Sequence, residues 1–312
     1  MLRIATAAIA LLAYVSVLAQ SPAPDRRVAI TIDDGPVVNE MTDLDRFQRI
    51  TTALIGSFTA EKVPVTMFVN EVQLNVPGQR DARAAALDQW LDAGFDLANH
   101  SYAHPSANQV PFERFADDVV KGEVVTRAVL ERRGKTLGWF RFPYLHAGRD
   151  EASHGQILTF LESRGYRVAP VTVDYADYSF AGPFTRELKA GNVEQASRIR
   201  QAYVDQVDPG FEHAEKASME VFGREIAQIL LIHCNELNSV AVRDTITRMR
   251  QRGYRFITLD EAMADPAYAR RDTFTGPGGS WISRSATAMG KRIESTQSPR
   301  VPAWVTAAAA AR

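Results

Sequence analysis

Asp33 and Asp34 stand side by side at the end of the run Val-Ala-Ile-Thr-Ile over 28–32. That run reads as a buried strand, and Gly35-Pro36 turns the chain away at once. Adjacent carboxylates repel, so such a pair calls for a cation or a proton; one acid can ligate a metal while its neighbour acts as a base. An isolated Asp-Asp-Gly-Pro fits a solvated turn equally well, so its partners decide. His100 and His104 follow a second short strand, and Pro105 argues for a loop or single turn there. Two neutral imidazoles and one carboxylate form a common set for a divalent metal with an open position, and either Asp33 or Asp34 would complete it. Arg141, in Arg141-Phe142-Pro143-Tyr144, closes a third strand, where a guanidinium can orient a carboxylate and hold it ionised. Asp174 and Asp177 follow a fourth strand and could partner an arginine or a histidine. His233 ends the wholly apolar Leu230-Leu231-Ile232. A histidine held there by a carboxylate suits general acid catalysis near neutral pH.

The elements that must position these residues alternate between two periods. Strands are expected over 28–32, 65–69, 95–98, 138–141, 166–173, 228–232 and 255–257. Helices are expected over 44–61, 82–93, 112–133, 155–164, 240–252 and 259–264. This β-α alternation predicts an α/β fold with mostly parallel strands, either a barrel or a doubly wound sheet. Five strands then deliver chemistry at their C-terminal ends, the end at which active sites of such folds collect. Residues 183–222 interrupt the repeat as a charged, helical insertion. Beyond about Pro266 the chain turns Gly/Ser/Thr/Arg-rich, and residues 266–312 are expected to lie over the surface or to be partly disordered.

Composition bounds the reading. The 312 residues are 46% hydrophobic and 9% aromatic, enough for a large core, and a formal net charge of -1 offers no electrostatic case for nucleic acid or an anionic membrane. Residues 1–19 look like an export signal. Arg3 precedes the apolar stretch 4–18, and Val17-Leu18-Ala19 offers small residues for cleavage before Gln20. That stretch is short for a membrane span, and 20–26 reads as a polar linker. Cys234 is the only cysteine, so no intrachain disulfide forms. Export from a bacterium, into the periplasm or medium, is the expected destination; the residues set no oligomeric state.

The order and wording of these motifs resemble the polysaccharide deacetylase family, the NodB-homology domain of carbohydrate esterase family 4, over about 27–265. The resemblance implies a distorted (β/α) barrel, here with a helical insertion, and a groove holding a divalent metal, usually zinc, with cobalt a substitute. It implies Asp33 as catalytic base, with Asp34, His100 and His104 as metal ligands. Arg141 would position Asp33, the Tyr144 backbone N–H would help hold the oxyanion, and His233 would be the acid. Asp177 rather than Asp174 would support His233 or Arg141. The implied reaction is de-N-acetylation of a glycan with release of acetate; de-O-acetylation and a catalytically silent carbohydrate-binding relative are the alternatives. Two positions depart from the family pattern: Ile32 replaces an aromatic, and Tyr178 stands where tryptophan is common. Phe142, Leu145, Tyr175 and Tyr178 are candidates to line a sugar-binding surface. Glycoside hydrolysis would use strand-end acids too, but leaves the histidines without a role.

Overall fold

The computed structural model describes residues 25–38 and 42–310. The expected export signal, 1–19, and most of the linker lie outside the described residues. Eight strands form one parallel sheet: β1 (Arg27–Gly35), β2 (Val65–Val69), β3 (Asp96–Asn99), β4 (Trp139–Phe140), β5 (Arg167–Val168), β6 (Val173–Asp174), β7 (Gln228–His233) and β8 (Arg255–Phe256). Their order is β5-β4-β3-β2-β1-β7-β6, with β8 pairing the opening residues of β1. Both faces of β1 are buried, which is why residues 28–32 are apolar on both faces but for Thr31 rather than alternating apolar and polar.

The expected strand over 166–173 is two strands, and they lie at opposite ends of the sheet order. Five peptide steps from Val168 to Val173 span at most about 18 Å. The sheet must therefore curl until its edges nearly meet, giving the distorted (β/α) barrel. Arg141 sits at the seam: its Nε donates to Ala169 O at 3.2 Å and its Nη2 to Pro170 O at 3.2 Å. Periodicity over 166–173 reports apolar residues but not the point at which the chain leaves one edge for the other.

Helices wrap the sheet: α1 (Leu44–Glu61), α2 (Arg80–Asp92), α3 (Phe112–Lys121), α4 (Val124–Glu131), α5 (Glu151–Ser163), α6 (Asp177–Lys189), α7 (Val193–Val204), α8 (Val207–Phe222), α9 (Glu236–Gln251), α10 (Leu259–Met263), α11 (Trp281–Ala288) and α12 (Ala303–Ala310). The single helix expected over 112–133 breaks at Gly122. A Cβ there would lie 2.4 Å from the Ser101 carbonyl carbon, so the helix joint packs against the backbone just after His100. Only glycine permits that approach. Glu71, itself buried, caps α4 by accepting from Val125 N (3.0 Å) and Thr126 N (2.7 Å).

The region expected as an insertion over 183–222 is helical from Asp177, comprising α6, α7 and α8, with Pro183 inside α6. Buried aromatic residues Phe180, Tyr203 and Phe211 tie it to the barrel. The C-terminal stretch carries two helices, and Trp281 and Ile282 of α11 are buried.

Candidate active site

Side chains of successive strand residues point to opposite faces. At the end of β1 a left-handed φ of 57° at Asp34 breaks that alternation. Asp33 Oδ2 and Asp34 Oδ1 each lie 3.6 Å from His100 Nε2. His104 Nε2 lies 3.5 Å from the same Asp34 oxygen. The loop carrying both histidines is wound tightly, with φ of 66° at Ser101 and 58° at His104. Asn99 Oδ1 accepts Ser101 N at 2.7 Å, and Asp118 Oδ1 accepts Tyr102 N and Ala103 N, both at 2.9 Å. Asn70 donates to the His100 carbonyl at 2.5 Å. Such conformations persist only where the surroundings over-determine them.

The Asp34, His100 and His104 ligand atoms fall within 4.8 Å of one another. His100 Nδ1 is 2.9 Å from the Arg141 carbonyl oxygen. A carbonyl only accepts, so Nδ1 carries the proton and Nε2 turns a lone pair toward Asp34. Asp34 Oδ1 is buried and accepts no hydrogen bond from the described residues. A buried carboxylate oxygen without a donor is costly, and a cation on it relieves that cost. Burial, and secondarily the nearby His100, push His104 down to about 4, against the opposing pull of Asp34 and Asp33. The donor set is one carboxylate oxygen and two imidazole nitrogens, which fits a divalent metal of the zinc type.

Arg141 is fully buried. Its Nη1 donates to Asp33 Oδ1 at 2.8 Å and to Thr31 Oγ1 at 2.6 Å, and its guanidinium lies 4.2 Å over the Phe68 ring. Thr31 Oγ1 in turn donates to Leu230 O at 2.6 Å. The barrel seam, the arginine and Asp33 thus form one rigid unit. Tyr144 follows on a single 3-10 turn with a φ of 57°, its ring edge-on to His104 at 4.4 Å between centroids.

His233 pairs with Asp33 in the β1–β7 register. Its Nδ1 is 2.8 Å from Asp177 Oδ1, at the first residue of α6. Asp174 instead accepts from Ala176 N at 2.7 Å, and burial pushes its carboxyl up. Burial opposes charge on His233, but Asp177, with Asp34 and Asp33 behind it, more than offsets that and raises the imidazole to about 10. The Cys234 thiol is buried, and burial pushes it well above its usual value.

These groups open on a cleft of about 1020 Å³. One wall is a face of α6, presenting Tyr178, Ala181, Gly182, Thr185 and Lys189; Tyr144 and Leu145 line another part. Tyr144 and Tyr178 are more than half exposed. Tyr175 is not at this surface: it is buried and packs on Tyr203. Phe142 touches the cleft but packs mainly against Phe115 and Phe140. Sequence reasoning missed Thr31, Asn235 and Asn238. The signals were a polar residue inside an apolar strand and an Asn-x-x-Asn that starts two residues after His233.

The chain is thus a parallel β/α barrel whose acids, histidines and arginine gather at the carboxyl ends of its strands, the end at which the active sites of such barrels lie. The family model described as polysaccharide deacetylase matches residues 20–180, just over half of the chain, and the protein belongs to that family. The peptidoglycan-N-acetylglucosamine deacetylase PgdA of Listeria monocytogenes is 21% identical over 241 residues, covering 76% of this chain and 39% of the relative. The chain therefore matches well under half the length of that curated relative. Among solved structures, the chitin deacetylase of Colletotrichum lindemuthianum superposes with a TM-score of 0.52 at 20% identity, over 83% of this chain and 95% of that one. A mutant of BA3943, a CE4 family pseudoenzyme, gives 0.50 at 17% identity, over 78% and 72%. At these identities the structural likeness is one of fold.

Proposed function

We propose that this protein is a divalent-metal-dependent hydrolase that removes the acetyl group from an N-acetylated glycan. Water adds to the amide carbonyl, the C–N bond breaks, and acetate and a free amine leave. The observation that carries the reading is the buried Asp34 Oδ1, which has no donor among the described residues, beside two imidazole nitrogens. Asp34, His100 and His104 would hold the metal, zinc or cobalt by donor type. When bound there, the ion supplies Lewis acidity to a carbonyl and lowers the pKa of water.

The other groups have separate tasks. Asp33, oriented by Arg141 through Oδ1, keeps Oδ2 for the proton of the attacking water. The Tyr144 backbone N–H donates to the developing oxyanion, a role supported by the packing of Tyr144 on His104. His233 holds its Nδ1 proton against Asp177, so Nε2 is the nitrogen that protonates the leaving amine. The α6 wall and the exposed rings of Tyr144 and Tyr178 would hold the sugar chain. An export signal over 1–19 would bring the enzyme to a cell-envelope or external glycan.

The test is an acetate-release assay over chitooligosaccharides, peptidoglycan, poly-N-acetylglucosamine and acetylated xylan. Release should stop on chelation and return with zinc or cobalt. Activity indifferent to chelators would remove the metal role, and release from xylan alone would make the protein a de-O-acetylase.

A further inference from the structure

We infer that the C-terminal segment 272–284 supports the catalytic site from outside its cleft, acting as a strap that holds the loop 144–148 in place through His146 as a positioning residue. This rests on the reading of the site as a deacetylase centre. Tyr144 and Leu145 both have a φ of 57°, a region L-residues avoid. Within the loop itself only short-range bonds hold them: Leu145 N to Phe142 O and His146 N to Pro143 O, each 3.0 Å.

The remaining restraint comes from far along the chain. His146 Nε2 is 2.9 Å from Pro277 O, and a carbonyl only accepts, so Nε2 carries the proton. His146 Nδ1 is then the acceptor, for Ser106 Oγ at 2.8 Å. One ring therefore joins the strap to the segment just after His104. Asn108 does the same a residue pair later, donating to Gly276 O at 2.8 Å and accepting Gly148 N at 2.9 Å. Arg284 Nη1 donates to Leu145 O at 3.2 Å, while its other end pairs with Asp272. Gly278, with a φ of 99°, lies so close to the loop that a Cβ would sit 2.9 Å from Tyr144 O.

The strap is anchored beyond the loop as well. Trp281 N donates to Val171 O at 2.6 Å, at the barrel seam, and its indole Nε1 donates to Ala267 O at 3.0 Å. The His154 ring lies between Ala147 O (2.6 Å) and Asp272 O (2.9 Å). These contacts are directional: Arg284 reaches the loop's own main chain at Leu145 O, and His146, Asn108 and His154 tie the loop to the strap's main chain at Pro277, Gly276 and Asp272. A segment that merely covered apolar surface would not need them. The strap also lies outside residues 20–180 matched by the family model.

The test uses the full chain with its metal. His146→Ala should lower kcat for acetate release from an N-acetylated chitooligosaccharide by about tenfold or more, with KM and bound metal unchanged. His146→Gln keeps one donor and one acceptor and should recover most of that loss. Amide hydrogen exchange gives a readout free of turnover: Leu145, His146 and Gly148 should lose protection in His146→Ala, while β1 amides keep theirs. Should His146→Ala fail to fold, Asn108→Ala cuts the Gly276 and Gly148 bonds and should expose the same amides. Unchanged exchange, or a kcat within about twofold of wild type, overturns the strap. A wild-type protein that releases no acetate from any glycan overturns the deacetylase reading instead, and exchange alone then decides the strap.

Discussion

Asp177 grips His233 twice, through ring and main chain. Its Oδ1 lies 2.8 Å from His233 Nδ1, and its Oδ2 accepts the His233 backbone N–H at 2.9 Å. Asn235 and Asn238 donate to the same Oδ2 at 2.8 and 2.6 Å, and Asn238 is itself held by Tyr203. Burial works against the Asp177 charge, yet His233 and these donors hold its carboxyl below the usual range. Four donors on one buried carboxylate leave the imidazole a single orientation.

The pair sets a pH dependence whose sign follows from the raised His233 value. Stability from the charged histidine is fully present below the ordinary 6.5 and is lost as pH rises through about 10. The same protonated form is the one that can donate to a leaving amine. The alkaline limb of kcat should therefore fall well above 6.5. Asp177→Asn removes the chief raising influence, so that limb should move down by a unit or more in a kcat–pH profile, with kcat itself at least about tenfold lower. Superimposable alkaline limbs would sink the assignment of Asp177.

Asp33 and Asp34 differ in partners, and the difference is testable. Asp33 is tied to Arg141, whereas Asp34 Oδ1 has no donor among the described residues. Asp33→Asn should cut turnover by about 100-fold or more while metal content, measured by elemental analysis, stays at the wild-type level. Loss of metal in that variant would exchange the two roles.

Gly122 links the helix joint to the histidine loop. Gly122→Ala places a methyl 2.4 Å from the Ser101 carbonyl carbon and 2.5 Å from Tyr102 N, both backbone atoms that cannot swing aside. The expected cost is about 1–3 kcal/mol in denaturant unfolding, as for other overpacked sites. Zinc affinity should fall with it, since His100 and His104 flank the displaced turn. Wild-type stability in this variant would mean the joint yields freely.

Much of the site was legible because its residues punctuate apolar runs. Asp33-Asp34, Arg141 and His233 each end a stretch whose burial is written in its composition, and a polar group at such a place needs a partner. Which partner it finds is another matter. Asp174 and Asp177 follow the same strand, and only the start of α6 turns Asp177 toward His233 while Asp174 caps its own turn. Asn235 and Asn238 lie ahead of the helix expected over 240–252, and only the placement of Asp177 against them shows what they hold. The two-strand split of 166–173 and the break at Gly122 escaped periodicity, because a one-dimensional pattern records burial but not which edge or backbone lies opposite.

By itself the sequence determined the alternation of strands and helices, the parallel α/β class and the chemical types waiting at the strand ends. Those follow from local forces: apolar period, β-branched runs and turn residues. The tertiary structure alone decided the curling of the sheet, the seating of Arg141 in its seam and the return of 272–284 to the loop at Tyr144. Each of these joins residues far apart in the chain. Closing such contacts depends on long-range packing and on hydrogen bonds that buried main-chain groups must find somewhere, neither of which is written in any local pattern.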